Sequence, residues 1–581
     1  MATNFCLPKN LVDSFLARLK SGEINPEKLT EMSSKERQDY FTSFLGATNA
    51  VKTNALFESK LLLKNQQQGL VNWAKQLSGI KPTVKRDLLT RINNMTEVLQ
   101  PADEDKFYAD LAAQRLGVGI TTEEAGKIVD LASDVNTKKA LIKEDSPIRS
   151  QERLDYGASL VAMQEYVGGL KRDAKAMSLG KLMTSPWELI KKISGGAKSA
   201  KASIDASFSL RQGFVTLLTK PKIWGDAFAE SFRVWGRDLK GIDGKAPIKA
   251  DVFSRPNALN GNYKKIGVDV GIETEEAFPE SWPTKIPLLG TLYKASGNAY
   301  NGALLRMRAD LADRFIEDAM SQGVTDLKES GLGRLTNSMT GRGALHMTKA
   351  QAETTNVLLF SVKYFKSQLD VLTAGATDPK TWGTPAQKIA AQNLLRIIGI
   401  TGGILALAKL LDPNSVDLDP RSTKFGKVYI PVGDKRVGLD ITAGYRTLII
   451  LASRIVPTMH NGKWGLWYKT KRGKYNNMWE SGYGQMQPDD FVVNFMEGKA
   501  SPAAKTVLNV WKQKKWDGEK PSIKEEALEL IKPISITNAT ELMKETQGEG
   551  LLIRLILAGL NMMGASSKVE EPPKKKKKKF Y

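Results

Sequence analysis

The helical spacing of its apolar residues constrains this chain more than any other feature. Through the first 180 residues they recur three and four positions apart within charged segments, and two-residue alternation is scarce. Leu11, Phe15, Leu16 and Leu19 make one such stripe, stopped at Ser21-Gly22. Thr121-Thr122-Glu123-Glu124, ahead of Ile128 and Leu131, has the pattern of a capping box. Asn298 to Met320 is the cleanest amphipathic segment. Leu304, Leu305, Leu311 and Phe315 mark its apolar stripe, with Arg306, Arg308, Asp310 and Asp313 expected as polar cover. No fixed-period repeat argues for a solenoid. The expectation is a mostly α fold of elongated multi-helical bundles.

One stretch departs from this pattern. Lys427 to Val432, Gly433-Asp434 and Lys435 to Ile441 read as a small β-hairpin with a Gly-first two-residue turn. A basic, small-residue stretch from Ser194 to Ser203 reads as a hinge. The expected organisation is an N-terminal helical module at 1–193, then one helical body at 204–345. A second body at 346–565 holds the hairpin near 427–441, and a disordered basic tail occupies 566–581. The last helix, Leu551 to Met563, is apolar on most faces.

Charge narrows the partners. Hydrophobic residues at 41% and charged residues at 25% are too polar a mixture for a multi-pass membrane protein. The formal net charge is +22, of which the run Lys574 to Lys579 supplies six. Like charge on that scale opposes compaction, so a polyanionic partner is expected, either nucleic acid or an anionic membrane face. General solubility is the plain alternative. The single cysteine, Cys6, excludes an intramolecular disulfide framework and four-cysteine zinc sites. Met1 to Lys9 carries no basic segment followed by an apolar run, so no secretory signal is expected.

Catalytic patterns are scarce. The two histidines, His346 and His460, stand in no nucleophile-elbow or protease context, and no HExxH motif occurs. Gly126-Lys127 and Gly244-Lys245 lack the spacing and the Ser/Thr of a phosphate-binding loop. Asp412 to Asp419 lacks the glycine and terminal glutamate of a calcium loop and reads as a plain acidic loop. Adjacent pairs such as Asp489-Asp490 give no cross-substrate geometry. No catalytic residue, metal or cofactor is expected, and the chain reads as non-enzymatic.

Binding patterns are stronger. Trp464, Trp467 and Tyr468 interleave with Lys469, Lys471, Arg472 and Lys474, a composition suited to stacked bases and tracked phosphates or to a lipid headgroup layer. The competing reading is an ordinary loop with its aromatics packed inward. Arg342, between Gly341 and Gly343, is a further phosphate-contact candidate, or part of a tight helix connection. Lys574, Lys575, Lys576, Lys577, Lys578 and Lys579 can release counterions from nucleic acid without reading its sequence, or grip an anionic leaflet. The uncharged run Ile397 to Ala408, between Arg396 and Lys409, is shorter than the roughly 20 residues of a simple span, so a buried helix is expected. The alternative is an inserting hairpin with Leu448 to Val456.

Several stretches together resemble the C-terminal helical region of phage polyvalent proteins. They are Ser203-Ile-Asp-Ala-Ser-Phe-Ser-Leu-Arg-Gln-Gly213 with Pro221 and Trp224, then Thr340-Gly-Arg-Gly343 with Asn356-Val-Leu-Leu-Phe-Ser361 and Lys363. Asp419-Pro-Arg-Ser-Thr-Lys-Phe-Gly-Lys427 follows, and then Gly498-Lys-Ala-Ser-Pro502 with Asp517-Gly518. The resemblance covers about Ala202 to Ala565, leaving the N-terminal 200 residues outside it. It implies a virion-internal or DNA-ejection accessory protein that accompanies the genome into the host and binds DNA non-specifically. Other virion proteins, the host membrane and further copies of the chain are the partners it implies. Its place would be the virion interior, then the host cytoplasm or envelope. A capsid or portal-vertex scaffold without DNA contact is the alternative, and a peptidoglycan-degrading ejection protein a third. In Leu210-Arg211-Gln212-Gly213, Arg211 reads as a clamp on carbonyls or a carboxylate, or as a DNA contact.

Overall fold

A computed structural model of the chain describes residues 26–45, 121–175, 206–270, 289–345, 347–470, 473–480, 485–512, 534–547 and 550–570, with short pieces elsewhere. The chain forms two compact units, residues 1–132 with 165–176 and residues 133–164 with 177–581. It is 65% helical with a few small antiparallel hairpins, so the mostly α expectation holds. The stripe at Leu11 to Leu19 and the lysine run Lys574 to Lys579 lie outside the described residues, as does His346.

In the first unit, α1 (Ser34–Leu45) opens with a reciprocal cap. The Glu36 amide donates to Ser33 Oγ at 3.3 Å, and the Ser33 amide to Glu36 at 2.8 Å. Phe41 and Leu29 are buried, and Arg37 pairs with Glu58 at 3.3 Å. The capping box read at Thr121 to Glu124 starts α2 (Thr122–Ala140), with the Thr121 amide donating to Glu124 at 2.7 Å.

The second unit takes α2 from Ser133 and α3 (Gln151–Lys175) through Gln164. Lys138 donates to Ser159 at 2.7 Å, and Arg153 donates to the Ser254 carbonyl at 2.9 Å. Residues 133–164 therefore pack with the larger unit, and the N-terminal module does not run unbroken to 193.

Next come α4 (Phe214–Thr219), α5 (Pro221–Leu239), α6 (Ala246–Ser254), α7 (Leu289–Ser321), α8 (Leu332–Met339), α9 (Val362–Leu372) and α10 (Pro385–Leu411). The expected division into bodies at 345/346 is not how these helices pack. Phe214, Val234, Leu311 and Phe315 share one apolar cluster with Val371, Ile397 and Tyr445. The organiser is α7, whose 33 residues span about 50 Å at 1.5 Å per residue.

Leu304, Leu305, Leu311 and Phe315 are buried as expected, but the polar cover of α7 is not solvent-facing. Arg308 is 1% exposed and donates to Thr340 Oγ1 at 3.1 Å and the Asp269 carbonyl at 2.8 Å. Arg306 bridges Asp251 and Asp310 at 3.1 and 2.8 Å. Arg255 reaches Asp251, Asp310 and Asp313 at 2.8, 2.8 and 2.9 Å. The charges that look like a solvated face are an internal ion-pair network joining α6 to α7.

The hairpin forms as read, between β1 (Lys427–Val432) and β2 (Lys435–Asp440), with Val432 opposite Lys435. Gly433 has φ +60°, the left-handed conformation that the first position of a type II′ turn requires. Then come α11 (Tyr445–Ile455) and two shorter hairpins, β3 (Thr458–His460) with β4 (Lys463–Gly465) and β5 (Trp467–Lys469) with β6 (Tyr475–Asn477). The expected single hairpin is thus one of several. Helices α12 (Pro488–Lys499), α13 (Pro502–Lys512), α14 (Ile534–Glu545) and α15 (Leu551–Met562) lead to β7 (Ser567–Glu570).

β7 adds a third strand to the sheet, with Val437 opposite Val569, so the tail placed at 566–581 is ordered through Glu570. Glu570 holds it there by pairing with Lys424 and accepting from Tyr429 Oη at 3.0 Å. Val432, Val437 and Leu439 meet Leu542 and Leu557 beneath the sheet.

Arg255→Ala leaves three carboxylates without their shared cation. Breaking a buried pair costs about 3–5 kcal/mol, whereas an exposed pair such as Arg314 with Glu317 is worth less than about 1 kcal/mol. Guanidinium denaturation followed by helical circular dichroism should show a large loss for Arg255→Ala and little for Arg314→Ala. Burial raises the Asp310 pKa and Arg255 opposes that rise, so without Arg255 it rises further and the deficit should shrink as pH falls and Asp310 protonates.

Candidate functional site

The aromatic-basic stretch is held by its neighbours more than it is presented to solvent. Trp467 is buried, and its indole N–H donates to the Thr458 carbonyl at 3.1 Å. Tyr468 is buried against Met478 and Phe491, and its hydroxyl accepts from the Met486 amide at 3.2 Å. Lys469 pairs with Asp417 at 2.9 Å. Tyr475 donates to Asp419, which also takes the Arg421 guanidinium at 3.0 Å, and Arg421 stacks on the Tyr475 ring at 4.7 Å. Trp467 and Tyr468 are therefore core residues of this small lobe and cannot stack bases. The inward-packed reading accounts for both, because two-stranded ribbons this short need an apolar underside.

Trp464 and Lys474 do face solvent, and Lys471 and Arg472 lie outside the described residues. Arg342, read as a phosphate-contact candidate, is instead buried and paired with Asp269. Gly341 has φ +82° and closes α8, while the Gly343 amide donates to the Lys363 carbonyl at 3.0 Å. That loop is a tight helix connection.

The acidic loop has a mechanical task. Burial pushes the Asp417 and Asp419 carboxyls up, but the hydrogen bonds they accept outweigh it and hold both below the usual carboxylate range. Lys469 and Ser422 supply the bonds to Asp417, and Arg421 and Tyr475 those to Asp419. Their contribution to stability is present above the ordinary aspartate value of about 4 and is lost as pH falls through the lowered one. Hydrogen exchange at the Trp467–Lys469 amides, taken relative to the intrinsic rate at each pH, should therefore quicken at acid pH. In Asp417→Asn it should be faster already at neutral pH and respond less to acid.

Helix α10 presents a broad unpartnered surface among the described residues. It was expected to be buried, and it is not. Ala386, Asn393, Ile397 and Leu405 are its only fully buried positions, a narrow stripe on one side. Elsewhere along it Leu395, Leu410 and Leu411 are 69, 80 and 78% exposed, with Ile398, Ile404 and Leu407 also in solvent. Its 27 residues are long and apolar enough to cross a membrane by length and composition. They include no Asp or Glu, only Lys388, Arg396 and Lys409. Lys409 is tied down, donating to the Val416 carbonyl at 3.2 Å, whereas Lys388 and Arg396 are exposed.

Helix α15 repeats the pattern, with Leu551, Leu552, Leu555 and Ile556 exposed and Arg554 its one charged residue. Both helices touch the small sheet, α10 at β1 and α15 through Leu557. The alternative partner for an inserting hairpin is a poor one, because Leu448 and Ile450 of α11 are buried.

Parts of three of the four resemblance landmarks meet. Ser207, Arg211 and Gln212 from the first, Leu359 to Ser361 from the second, and Gly498 to Ala500 with Pro502 from the last line one cavity of about 700 Å³. The strands of backbone between them are bonded: the Phe360 amide donates to the Lys499 carbonyl at 2.9 Å, and the Ser501 amide to Leu358 at 2.7 Å. Arg211 is a carbonyl clamp, donating from Nε to Gly564 at 3.3 Å. No family model, curated protein or solved structure matches the chain.

Proposed function

We propose that this chain is a non-enzymatic accessory protein of a phage particle that travels with the genome and docks on an anionic membrane face. The observation that carries the reading is the acid-free, solvent-exposed apolar face of α10. Exposed apolar patches of monomeric proteins rarely exceed a few hundred Å² without a partner. Cations without acids on such a helix favour an anionic lipid surface over a neutral one. Since one stripe of α10 is fixed in the core, the helix meets the bilayer lying along it, with Leu407, Leu410 and Leu411 entering the acyl boundary. The +22 charge and the lysine run supply the second activity, sequence-independent attraction to the packaged DNA. The resemblance to phage polyvalent proteins joins the two into a delivery role.

Flotation with phosphatidylglycerol-containing vesicles, against phosphatidylcholine alone, tests the membrane part. The protein should float with the anionic vesicles only. Replacing Leu407, Leu410 and Leu411 by Glu should lower the affinity at least tenfold, since a buried leucine is worth about 1.5–3 kcal/mol. Equal flotation of that variant sinks the assignment to α10.

For DNA, the slope of log affinity against log salt should be steep. Deleting Lys574 to Lys579 should reduce it by up to about 5, at roughly 0.9 per phosphate contact. An unchanged slope would remove the tail from the interface. Mass spectrometry of particles before and after DNA release should find the protein only in the full ones.

A further inference from the structure

We propose that the cavity beneath the N-terminus of α9 binds a small hydroxyl-bearing phosphomonoester, its phosphoryl group held by Arg211, Lys499 and the first turn of α9. The proposal is independent of the membrane reading, because the cavity shares no residue with α10 or α15. About 700 Å³ suits a ligand the size of a nucleotide or sugar phosphate.

The electrostatics favour an anion. Six Lys and Arg side chains line the cavity against two carboxylates, Asp440 and Glu497. Asp440 is already occupied, accepting from the Thr442 amide and hydroxyl at 2.9 and 2.6 Å. Lys499 makes no ion pair among the described residues; its ammonium lies 5.6 Å from the Phe495 ring centre and 6.0 Å from that of Phe365. Burial lowers its pKa and the nearby Arg211 charge lowers it further, so the two cations share one space. Arg211 spends only its Nε on Gly564, leaving both terminal nitrogens without a bond to a described residue.

The third element is α9, an eleven-residue helix whose N-cap, Ser361, lines the cavity. The amides of Val362, Lys363 and Tyr364 have no acceptor among the described residues, and Ser361 Oγ makes no hydrogen bond. Free first-turn amides with a helix dipole behind them are a phosphate-binding arrangement.

Independent of the cations, the cavity has polar atoms awaiting a donor. Gln368 is 1% exposed, and its Nε2 donates to the Ala443 carbonyl at 3.4 Å while its Oε1 has no partner. Gln212 Oε1 is likewise unpartnered. Acceptors left open in a buried wall cost free energy that a ligand hydroxyl recovers. Cations for a phosphoryl group and open amide oxygens for hydroxyls define the class.

Isothermal titration of the full chain with ribose 5-phosphate and adenosine monophosphate, with ribose and adenosine as uncharged controls, tests this. Both phosphates should bind saturably and the controls should not. Lys499→Met and Arg211→Gln should each weaken binding at least tenfold. Thermal melting provides a second readout that a merely structural lysine would not give. Lys499→Met removes a half-buried charge with no carboxylate partner among the described residues, so the ligand-free protein should melt no lower than wild type while losing the ligand-induced rise. The proposal is overturned if no phosphomonoester binds, if Lys499→Met binds as wild type does, or if only a DNA oligonucleotide occupies the site.

Discussion

Arg255 is buried among Asp251, Asp310 and Asp313, and the packing of the larger unit turns on that cluster. A buried guanidinium is costly unless it is paired or fully hydrogen-bonded, and this one is held by three carboxylates that are in turn neutralised by it. Burial raises the pKa of Asp310, with Arg255 pulling the other way. Tyr263 adds a hydroxyl to Asp313 at 2.7 Å, and Arg306 shares Asp251 and Asp310. The network fixes the rotation of α7 about its own axis. That rotation sets which residues face α5, α6 and α8, and so the position of every helix built on them.

Local patterns were legible in the sequence where one segment carries the whole instruction. The box at Thr121 to Glu124 and the Gly433-Asp434 turn need only four to six residues to specify their geometry, and both form as read. Patterns whose outcome depends on a distant partner were not legible. Arg306 and Asp310 look like a solvated face until Arg255, some 50 residues earlier, is placed between them. Val569 is a lone apolar residue beside a run of charge, and only the exposed edge of β2 makes it a strand. Trp467 and Tyr468 have the composition of a stacking surface, but Thr458 and Met486 claim their polar groups.

The candidate surface was half legible. The apolar run in α10 is plain in the sequence, and its shortness against a simple span argues for burial. The missing information was supply: the core has room for one narrow stripe of this helix, and nothing among the described residues covers the rest. The absence of any acid over 27 residues was the available signal, because a solvated helix of that length ordinarily alternates both signs. The cavity could not be read at all. Arg211, Ser361 and Lys499 are spread over nearly 300 residues, and each looks structural within its own segment.

Cationic charge in this chain is therefore distributed by task. Four cations that serve the fold are matched to acids: Arg255, Arg342, Arg421 and Lys469 each have a carboxylate at ion-pair distance. Such pairs cancel in the far field and contribute nothing to attraction of a polyanion. The surplus that makes the chain +22 must lie in side chains without such partners, among them Lys388 and Arg396 on α10 and Lys499 in the cavity. Self-repulsion from that surplus lowers stability unless an anion answers it. A protein that keeps unpaired cations beside an uncovered apolar helix is least stressed when lipid phosphate and acyl chain meet both together, which is why the membrane reading needs the two features at once.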